Sequence, residues 1–151
     1  MIYVIGTYGC RADSKGRILF PSGLKGQLEE CIHKGFVLKR GLFGNYLELY
    51  PINEWKNTTE KILNKTQIIE KSSDFLRKFV AGAKFIELDT MGRIQIPKDL
   101  FTFANLKKEI VLTSVINKIE IWDKSCYESA IEYNVDEFVK ITEEILGDFE
   151  K

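Results

Sequence analysis

Two short stretches of the chain carry the same alternation of polar and apolar positions. Residues 17–20 and 93–96 each begin with arginine and isoleucine, and each is followed by proline. Alternation over four residues is typical of a half-buried strand, and proline is a poor continuation of one. The apolar spacing that follows predicts a short helix in each case, carried by Leu24 and Leu28 in the first and by Leu100 and Phe103 in the second.

Apolar runs further along the chain predict two more strands after each short helix. They cover residues 36–38 and 46–50 in the first case, and residues 110–112 and 118–122 in the second. Glycine-containing residues 41–45 join the first pair, and residues 116–117 join the second, as expected for hairpins. One extra strand is predicted before each arginine, over residues 6–10 and 85–88.

These matching elements belong to an internal repeat. Residues 13–21 and 89–97 share the pattern D-x-x-G-R-I-x-apolar-P, with five identities in nine positions at an offset of 76. Such repetition indicates two copies of one structural unit. We therefore expect an α+β fold with a pseudo-two-fold β core flanked by helices, divided as unit 1 (6–54), a helical spacer (55–82), unit 2 (83–126) and an acidic C-terminal helix (127–151).

The spacer and the tail carry helical patterns that the repeat does not share. Asn53 is the predicted N-cap of the first spacer helix, Ser72 or Ser73 that of a second, and Gly82 its end. Asp123 is a candidate cap for the tail, where Phe138, Ile141, Ile145 and Leu146 recur at helical spacing. These stripes pack either on the body of the protein or on a neighbouring subunit.

The charges are distributed unevenly, although their sum is zero. The first 122 residues hold 19 basic and 13 acidic groups, whereas residues 123–151 hold three and nine. A neutral total therefore combines a basic body with an acidic tail. Because attraction to a polyanion depends on the local field, the basic body is compatible with nucleic acid as a partner. A solvated acidic helix is the simpler interpretation of the tail.

The composition indicates a globular protein of the cytoplasm. Hydrophobic residues are 44% and charged residues 29%, and no apolar run approaches the ~20 residues of a bilayer span. The first residues lack the features of a secretory signal. Three cysteines without a C-x-x-C pair disfavour a disulfide framework and a structural zinc site. We expect no metal, no cofactor, no membrane partner and no small-molecule substrate.

The repeated motif suggests a specific local geometry. Asp13 and Asp89 can accept hydrogen bonds from backbone N–H groups ahead of them, and Gly16 and Gly92 can supply a positive φ. The arginines that follow, Arg17 and Arg93, then lie where a turn becomes a strand.

Two interpretations of these arginines are open. A guanidinium suits phosphate or the major-groove edge of guanine, so the pair could grip a duplex. Alternatively, each arginine only pairs with its own aspartate and stabilises the turn. Lys15 and Arg11 near the first turn favour phosphate binding, whereas Met91 removes a cation from the second.

A catalytic interpretation finds little support. His33 is the single histidine, so a multi-histidine metal site is excluded, and no phosphate-binding or nucleophile-elbow motif occurs. A pair of His33 with Cys10, Cys31 or Cys126 is conceivable, but nothing in the sequence brings such groups together. We expect the protein not to be an enzyme.

The tandem D-x-x-G-R turns resemble those of the MraZ family of bacterial transcriptional regulators. Further matches lie at residues 35–41, 49–55, 82–83, 87–89 and 119–122, so the resemblance covers nearly the whole chain. Ala12 replaces a larger apolar residue, and Met91 replaces a cation. The second departure predicts a smaller contribution from the second turn.

The resemblance implies two tandem swapped-hairpin units of the SpoVT-AbrB type and a ring-shaped homo-oligomer. It further implies a nucleoid-associated repressor that binds repeated promoter elements of the division and cell-wall gene cluster, including its own gene. The DNA contacts would come from Lys15, Arg17 and Arg93. An AbrB-type antitoxin, or another protein-interaction module using the acidic tail, is the alternative.

Overall fold

The computed structural model describes residues 3–65 and 70–147. Up to the end of the spacer, the elements are β1 (Thr7–Arg11), β2 (Arg17–Leu19), α1 (Ser22–Gln27), a 3₁₀ turn (Ile32–Lys34), β3 (Phe36–Arg40), β4 (Leu47–Pro51), α2 (Ile52–Lys65) and α3 (Glu70–Phe79). The remainder are β5 (Lys84–Ile86), β6 (Arg93–Gln95), α4 (Lys98–Phe103), β7 (Glu109–Val115), β8 (Lys118–Asp123), α5 (Lys124–Ala130) and α6 (Val135–Leu146).

The two units are interleaved rather than placed side by side. The main sheet has the order β1-β7-β8-β4-β3-β5, so the first strand of each unit pairs with the hairpin of the other. A second sheet joins β2 to β6. All pairings are antiparallel. Ile18 pairs with Ile94 at the centre of the two-stranded sheet, and Glu48 pairs with Glu120 at the centre of the main sheet. One approximate two-fold axis therefore passes through both sheets and relates unit 1 to unit 2. This arrangement confirms the expected α+β class with a pseudo-two-fold β core.

A single hydrophobic core serves both units because their strands alternate in one sheet. Ile18 and Ile94, from the two-stranded sheet, are both fully buried. Around them pack side chains from both hairpins and both short helices, among them Leu24, Leu38, Leu49, Leu100, Leu112 and Ile121. Burial of an isoleucine or leucine contributes about 1.5–3 kcal/mol. Neither unit therefore has a complete core of its own.

One ionised cluster is buried in the hairpin of unit 1, on the sheet face opposite this core, where Lys39 lies beside Phe79 of α3. The carboxylate of Glu48 accepts hydrogen bonds from Lys39 Nζ at 2.8 Å, Leu42 N at 3.2 Å and Tyr46 Oη at 3.3 Å. Lys118 Nζ, from the hairpin of unit 2, lies 3.3 Å away. Burial raises the pKa of Glu48, but the hydrogen bond and charge of Lys39, together with the charge of Lys118 and the N–H of Leu42, hold the pKa below its usual value.

Most of the strands were predicted within one or two residues, but two helix starts were not. The helix α2 begins at Ile52, directly after β4, so Asn53 is not its N-cap. Ser72 and Ser73 lie inside α3 rather than at its start. In α2 the buried strand runs directly into the helix, and this continuity overrides the local preference of Asn53 for a cap. Residues 66–69, within the predicted spacer, lie outside the described residues.

The two spacer helices pack on the hairpin of unit 1 through aromatic side chains. Trp55 stacks on Phe79 with ring centroids 5.6 Å apart, and meets the edge of Tyr50 at 5.4 Å. Phe79 also lies over the ammonium group of Lys39, at 4.8 Å. These contacts fix α2 and the end of α3 to the sheet, away from β2 and β6.

The acidic tail contains two helices, α5 and α6, with a break between them. Asn134 caps α6 by accepting a hydrogen bond from Glu137 N at 3.2 Å, which begins a new helix after the break. No residue of α6 is buried, and the side chains of Phe138, Ile141 and Ile145 are 49–74% exposed. Of the two alternatives for this stripe, packing on the body is therefore wrong for the described residues. Residues 148–151, in the predicted C-terminal helix, lie outside them.

Among the described residues, no helix is long and apolar enough to cross a bilayer.

Candidate nucleic-acid interface

The first D-x-x-G-R segment, residues 13–17, forms a tight turn that we call loop 1. Asp13 Oδ1 accepts hydrogen bonds from the backbone N–H groups of Lys15 and Arg17, both at 2.9 Å. Asp13 Oδ2 accepts one from Arg17 Nε at 2.7 Å. Gly16 has a φ of 76°, a conformation that glycine adopts at low cost. The Asp13 carboxylate therefore fixes both the backbone of the turn and the Nε edge of the Arg17 guanidinium.

The second segment, residues 89–93, forms loop 2 with the same bonds. Asp89 Oδ1 accepts from the N–H groups of Met91 and Arg93 at 2.9 Å, and Oδ2 accepts from Arg93 Nε at 2.9 Å. Gly92 has the same φ of 76°. Chemically different residues at positions 15 and 91 thus leave the turn unchanged, because only their backbone takes part.

Both aspartates of the loops are held in their ionised form. The pKa of Asp13 lies below its ordinary value, first because of the backbone hydrogen bond from Arg17 and then because of the Arg17 side chain and the Lys15 N–H. The pKa of Asp89 is lowered by the corresponding groups of Arg93 and Met91. Each loop is therefore closed by an ionised carboxylate at neutral pH.

The arginines combine the two interpretations left open by the sequence. Each pairs with its own aspartate through Nε, which stabilises the turn. The side chains are nevertheless 29% and 31% exposed in Arg17 and Arg93, respectively. Among the described residues, the Nη atoms of both guanidiniums have no hydrogen-bond partner. The paired edge fixes the orientation of each guanidinium, and the outer nitrogens stay available to a ligand.

The pairing of β2 with β6 places both arginines on one face. Ile18 and Ile94 face the core, so the residues flanking them point to the opposite side of the ribbon. Arg17 faces Gln95 and Arg93 faces Leu19, which makes the two arginines diagonal neighbours. Their Cα atoms are accordingly separated by about 7–8 Å. The outer face of this ribbon carries two guanidiniums related by the pseudo-two-fold axis.

A groove of about 540 Å³ beside loop 1 is lined by cations from both units. Lys15 comes from loop 1, whereas Lys98, Lys107 and Lys108 come from unit 2, and Asp13 is the acidic residue of the lining. The interleaved strands bring these groups together, since the N–H of Ala12 donates to the carbonyl oxygen of Lys108 at 2.9 Å. Sequence reasoning missed these three lysines. Lys107 and Lys108 lie there through the pairing of β1 with β7, and Lys98 through that of β2 with β6, which no local sequence pattern shows.

Arg11, the remaining predicted DNA contact, lies elsewhere. It ends β1 opposite Glu109 and lines a different groove, together with Lys124 and Glu128. The groove beside loop 1 does not include Arg11. The structure thus brings Lys15 and Arg17 together at loop 1, and places Arg11 in mixed-charge surroundings.

Burial disfavours the thiolate form of two of the cysteines, Cys10 and Cys31. Burial raises the pKa of the Cys10 thiol to about 11, which keeps it protonated, and burial also raises the pKa of Cys31. His33 is exposed in the 3₁₀ turn after α1. Across residues 3–65 and 70–147, no group of three or more His, Cys, Asp or Glu side chains could hold a metal ion.

Fold and site define a protein of two interleaved repeat units, each with an arginine-bearing loop. A family model described as "MraZ protein, putative antitoxin-like" matches residues 4–78 and again residues 79–149. The chain belongs to the MraZ family.

Two relatives extend the comparison to whole proteins. The "Transcriptional regulator MraZ" of Flavobacterium psychrophilum is 49% identical over 144 residues, which cover 95% of this chain and 92% of the relative. The protein of the same name from Christiangramia forsetii is 49% identical over 147 residues, covering 97% and 95%. The resemblance seen in the sequence is therefore confirmed at the level of the family.

Proposed function

We propose that the chain is a transcriptional regulator that binds double-stranded promoter DNA through loop 1 and loop 2. The observation that carries this proposal is the pair of guanidiniums on one face of the β2–β6 ribbon, each fixed by an aspartate and each with free Nη atoms. A guanidinium held in this way can donate two parallel hydrogen bonds to a phosphate or to guanine O6 and N7. The names of the relatives support the same function.

The charge around the loops supports binding to a polyanion. Lys98, Lys107 and Lys108 surround loop 1 and are exposed to solvent. Each phosphate that a cation neutralises releases counterions, so affinity rises with the number of contacts and falls with salt. The acidic helix α6 must lie away from bound DNA, because its carboxylates would repel the phosphates.

The finer proposal is that of a repressor that acts by occupying repeated elements in the promoter of the division and cell-wall gene cluster, its own gene included. A ring-shaped homo-oligomer would present the loops of several chains to these elements at once, which raises the effective concentration of each loop. The exposed apolar stripe of α6 supports self-association, because such a face is costly to leave in water. A sedimentation coefficient of a 17.4 kDa monomer at micromolar concentration would contradict the ring.

The proposed function is tested by footprinting on the DNA upstream of the gene that encodes the protein, at stated salt. The wild-type protein is expected to protect repeated elements, and the double variant Arg17→Ala, Arg93→Ala to lose protection. Arg77→Ala is the matched control, because Arg77 is an exposed arginine of α3 that pairs with Asp74. Equal protection by all three proteins would overturn the proposal. Colocalisation of the tagged protein with the nucleoid is expected as well.

A second candidate is an antitoxin-like module that binds another protein through its acidic tail. The exposed stripe of α6, flanked by acidic side chains, favours this candidate, as does the wording of the family description. Stoichiometric co-purification of a small protein that is lost on removal of residues 135–151 would support it. Under the regulator proposal, the truncated chain still carries both loops.

A further inference from the structure

Loop 2 lacks the lysine that loop 1 carries. Lys15 and Met91 occupy the same position of the motif, and Met91 is 67% exposed. The side chain that lies against loop 2, however, is Lys25 of α1, from the opposite unit. Its Nζ atom is so close to Gly92 that a Cβ atom on that glycine would overlap it, and its Cε atom would be 3.0 Å from the same Cβ.

Lys25 stands there without a compensating charge. Its side chain is half-buried, and no described carboxylate pairs with it. Three lysines of the sheet are neutralised instead, since Lys84 pairs with Asp99, and Lys39 and Lys118 pair with Glu48. An ammonium group without an ion-pair partner that is held against a turn adds positive potential there, since the one carboxylate of this turn, Asp89, is already paired with Arg93.

The pseudo-two-fold axis shows that the lysines of the two loops occupy non-equivalent positions. With the repeat offset of 76, position 25 corresponds to position 101, which is phenylalanine. Phe101 packs beside Gly16 of loop 1, where its Cδ2 atom lies 3.7 Å from the place of a Cβ. Loop 1 thus has its own lysine and a neighbouring apolar side chain, whereas loop 2 has its own apolar side chain and a neighbouring lysine.

We propose that Lys25 is the phosphate-contacting cation of loop 2, supplied by unit 1 in place of the lysine that Met91 replaces. This inference rests on the proposed binding of DNA and adds a residue to that interface. Each loop then has an arginine of its own motif and a lysine against its turn, and loop 1 has the lysines of the neighbouring groove in addition. The expectation from sequence, that the second loop contributes less, follows only if Lys25 is ignored.

The test compares Lys25→Gln with Lys56→Gln on a promoter fragment, over a series of salt concentrations. Lys56 is an exposed lysine of α2, a helix that packs on the β3–β4 hairpin rather than near the loops. Loss of one phosphate contact reduces the slope of log K against log salt by about 1 and weakens binding about fivefold at 0.15 M salt. We expect this change for Lys25→Gln and none for Lys56→Gln.

Rescue and a positive control separate the inference from the proposed function. Met91→Lys in the Lys25→Gln background is expected to restore the salt slope, because it returns the charge to loop 2. Arg93→Ala is the positive control for loop 2, and thermal unfolding verifies that every variant folds.

Four results decide the matter. A loss in Lys25→Gln that Met91→Lys restores supports the inference. A Lys25→Gln variant that binds like Lys56→Gln while Arg93→Ala binds weakly overturns it and leaves the proposed function intact. A loss that Met91→Lys does not restore also overturns it. Unchanged binding in both Arg17→Ala and Arg93→Ala overturns the proposed function and the inference with it.

Discussion

Loop 1 and loop 2 form the same internal hydrogen bonds, but different side chains of the opposite unit surround them. Gln95 donates to the carbonyl oxygen of Lys15 at 2.6 Å in loop 1. The corresponding neighbour of loop 2 is Leu19, which cannot donate, and Lys25 lies over Gly92. The comparison shows that the D-x-x-G-R motif determines the turn, whereas the interleaved partner unit determines the charge around it.

The hairpins of the two units likewise share a backbone arrangement but differ in their polar side-chain contacts. In unit 1, Lys39 and Glu48 are fully buried and form an ion pair. In unit 2, the equivalent of Lys39 by strand position is Thr113, whose hydroxyl lies 2.7 Å from that of Thr7, and Glu120 accepts from Trp122 Nε1 at 3.0 Å. Equal backbones therefore hold unequal polar contacts, and substitutions at equivalent positions measure how much each contact matters.

The largest expected effect comes from breaking the buried pair. Lys39→Met leaves Glu48 buried without its main partner, and we expect a loss of about 3–5 kcal/mol in the free energy of unfolding. Thr113→Val, at the equivalent strand position, removes a single neutral hydrogen bond and should cost about 1 kcal/mol. Urea denaturation measures both. Losses of the same size would show that the ion pair does not distinguish the two hairpins.

The next effect concerns DNA affinity. Arg17→Ala and Arg93→Ala should each weaken promoter binding by about 1–3 kcal/mol per engaged loop. Because Lys25 supplies a cation to loop 2, we expect the two losses to agree within about a factor of two in Kd. Gel-shift titrations at fixed salt give the ratio. A much smaller loss for Arg93→Ala would instead support the unequal contribution predicted from Met91.

A smaller effect is expected at the two glycines. Alanine at a φ of 76° costs about 1–2 kcal/mol, so Gly16→Ala and Gly92→Ala should destabilise the protein by similar amounts. Only Gly92→Ala also displaces Lys25, and it should therefore change the salt dependence of DNA binding as well. Equal salt slopes for the two variants would argue against a role of Lys25 at loop 2.

The smallest effect concerns the exposed bond from Gln95 to loop 1. Gln95→Leu makes this position resemble Leu19. The lost hydrogen bond should lower the free energy of unfolding by about 0.5 kcal/mol, because the bond is exposed to solvent. Faster amide hydrogen exchange in loop 1, with loop 2 unchanged, is the expected observation. Leu19→Gln is the reciprocal variant and should slow exchange in loop 2. Uniform changes in both loops would contradict the assignment of this bond.

Features with local causes could be predicted from the sequence. The turns depend on Asp13, Asp89 and their glycines, whose bonds reach at most four residues along the chain. The strands follow from apolar alternation in β2 and β6 and from apolar runs in the hairpins. The start of α2 at Ile52 was missed because tertiary continuity with β4 overrides a local cap. The position of Lys25 could not be predicted, because it depends on how two distant segments pair across the axis.

The charged groove beside loop 1 illustrates the same limit. No local pattern marks Lys98, Lys107 and Lys108. The last two reach loop 1 because β1 lies against β7, and Lys98 because β2 lies against β6. The stripe of α6 was recognised from its spacing, but its partner was not, since periodicity identifies an apolar face without showing what covers it.

The exchange of β1 and β5 between the hairpins has a consequence for how such a chain can evolve. Two separate copies of one unit would assemble into a dimer whose halves are identical, and a mutation in one loop would appear in both, which suits a palindromic target. Covalent fusion removes that constraint. Each half can then change alone, so a single polypeptide can present two dissimilar contact surfaces to a DNA site that has no internal symmetry.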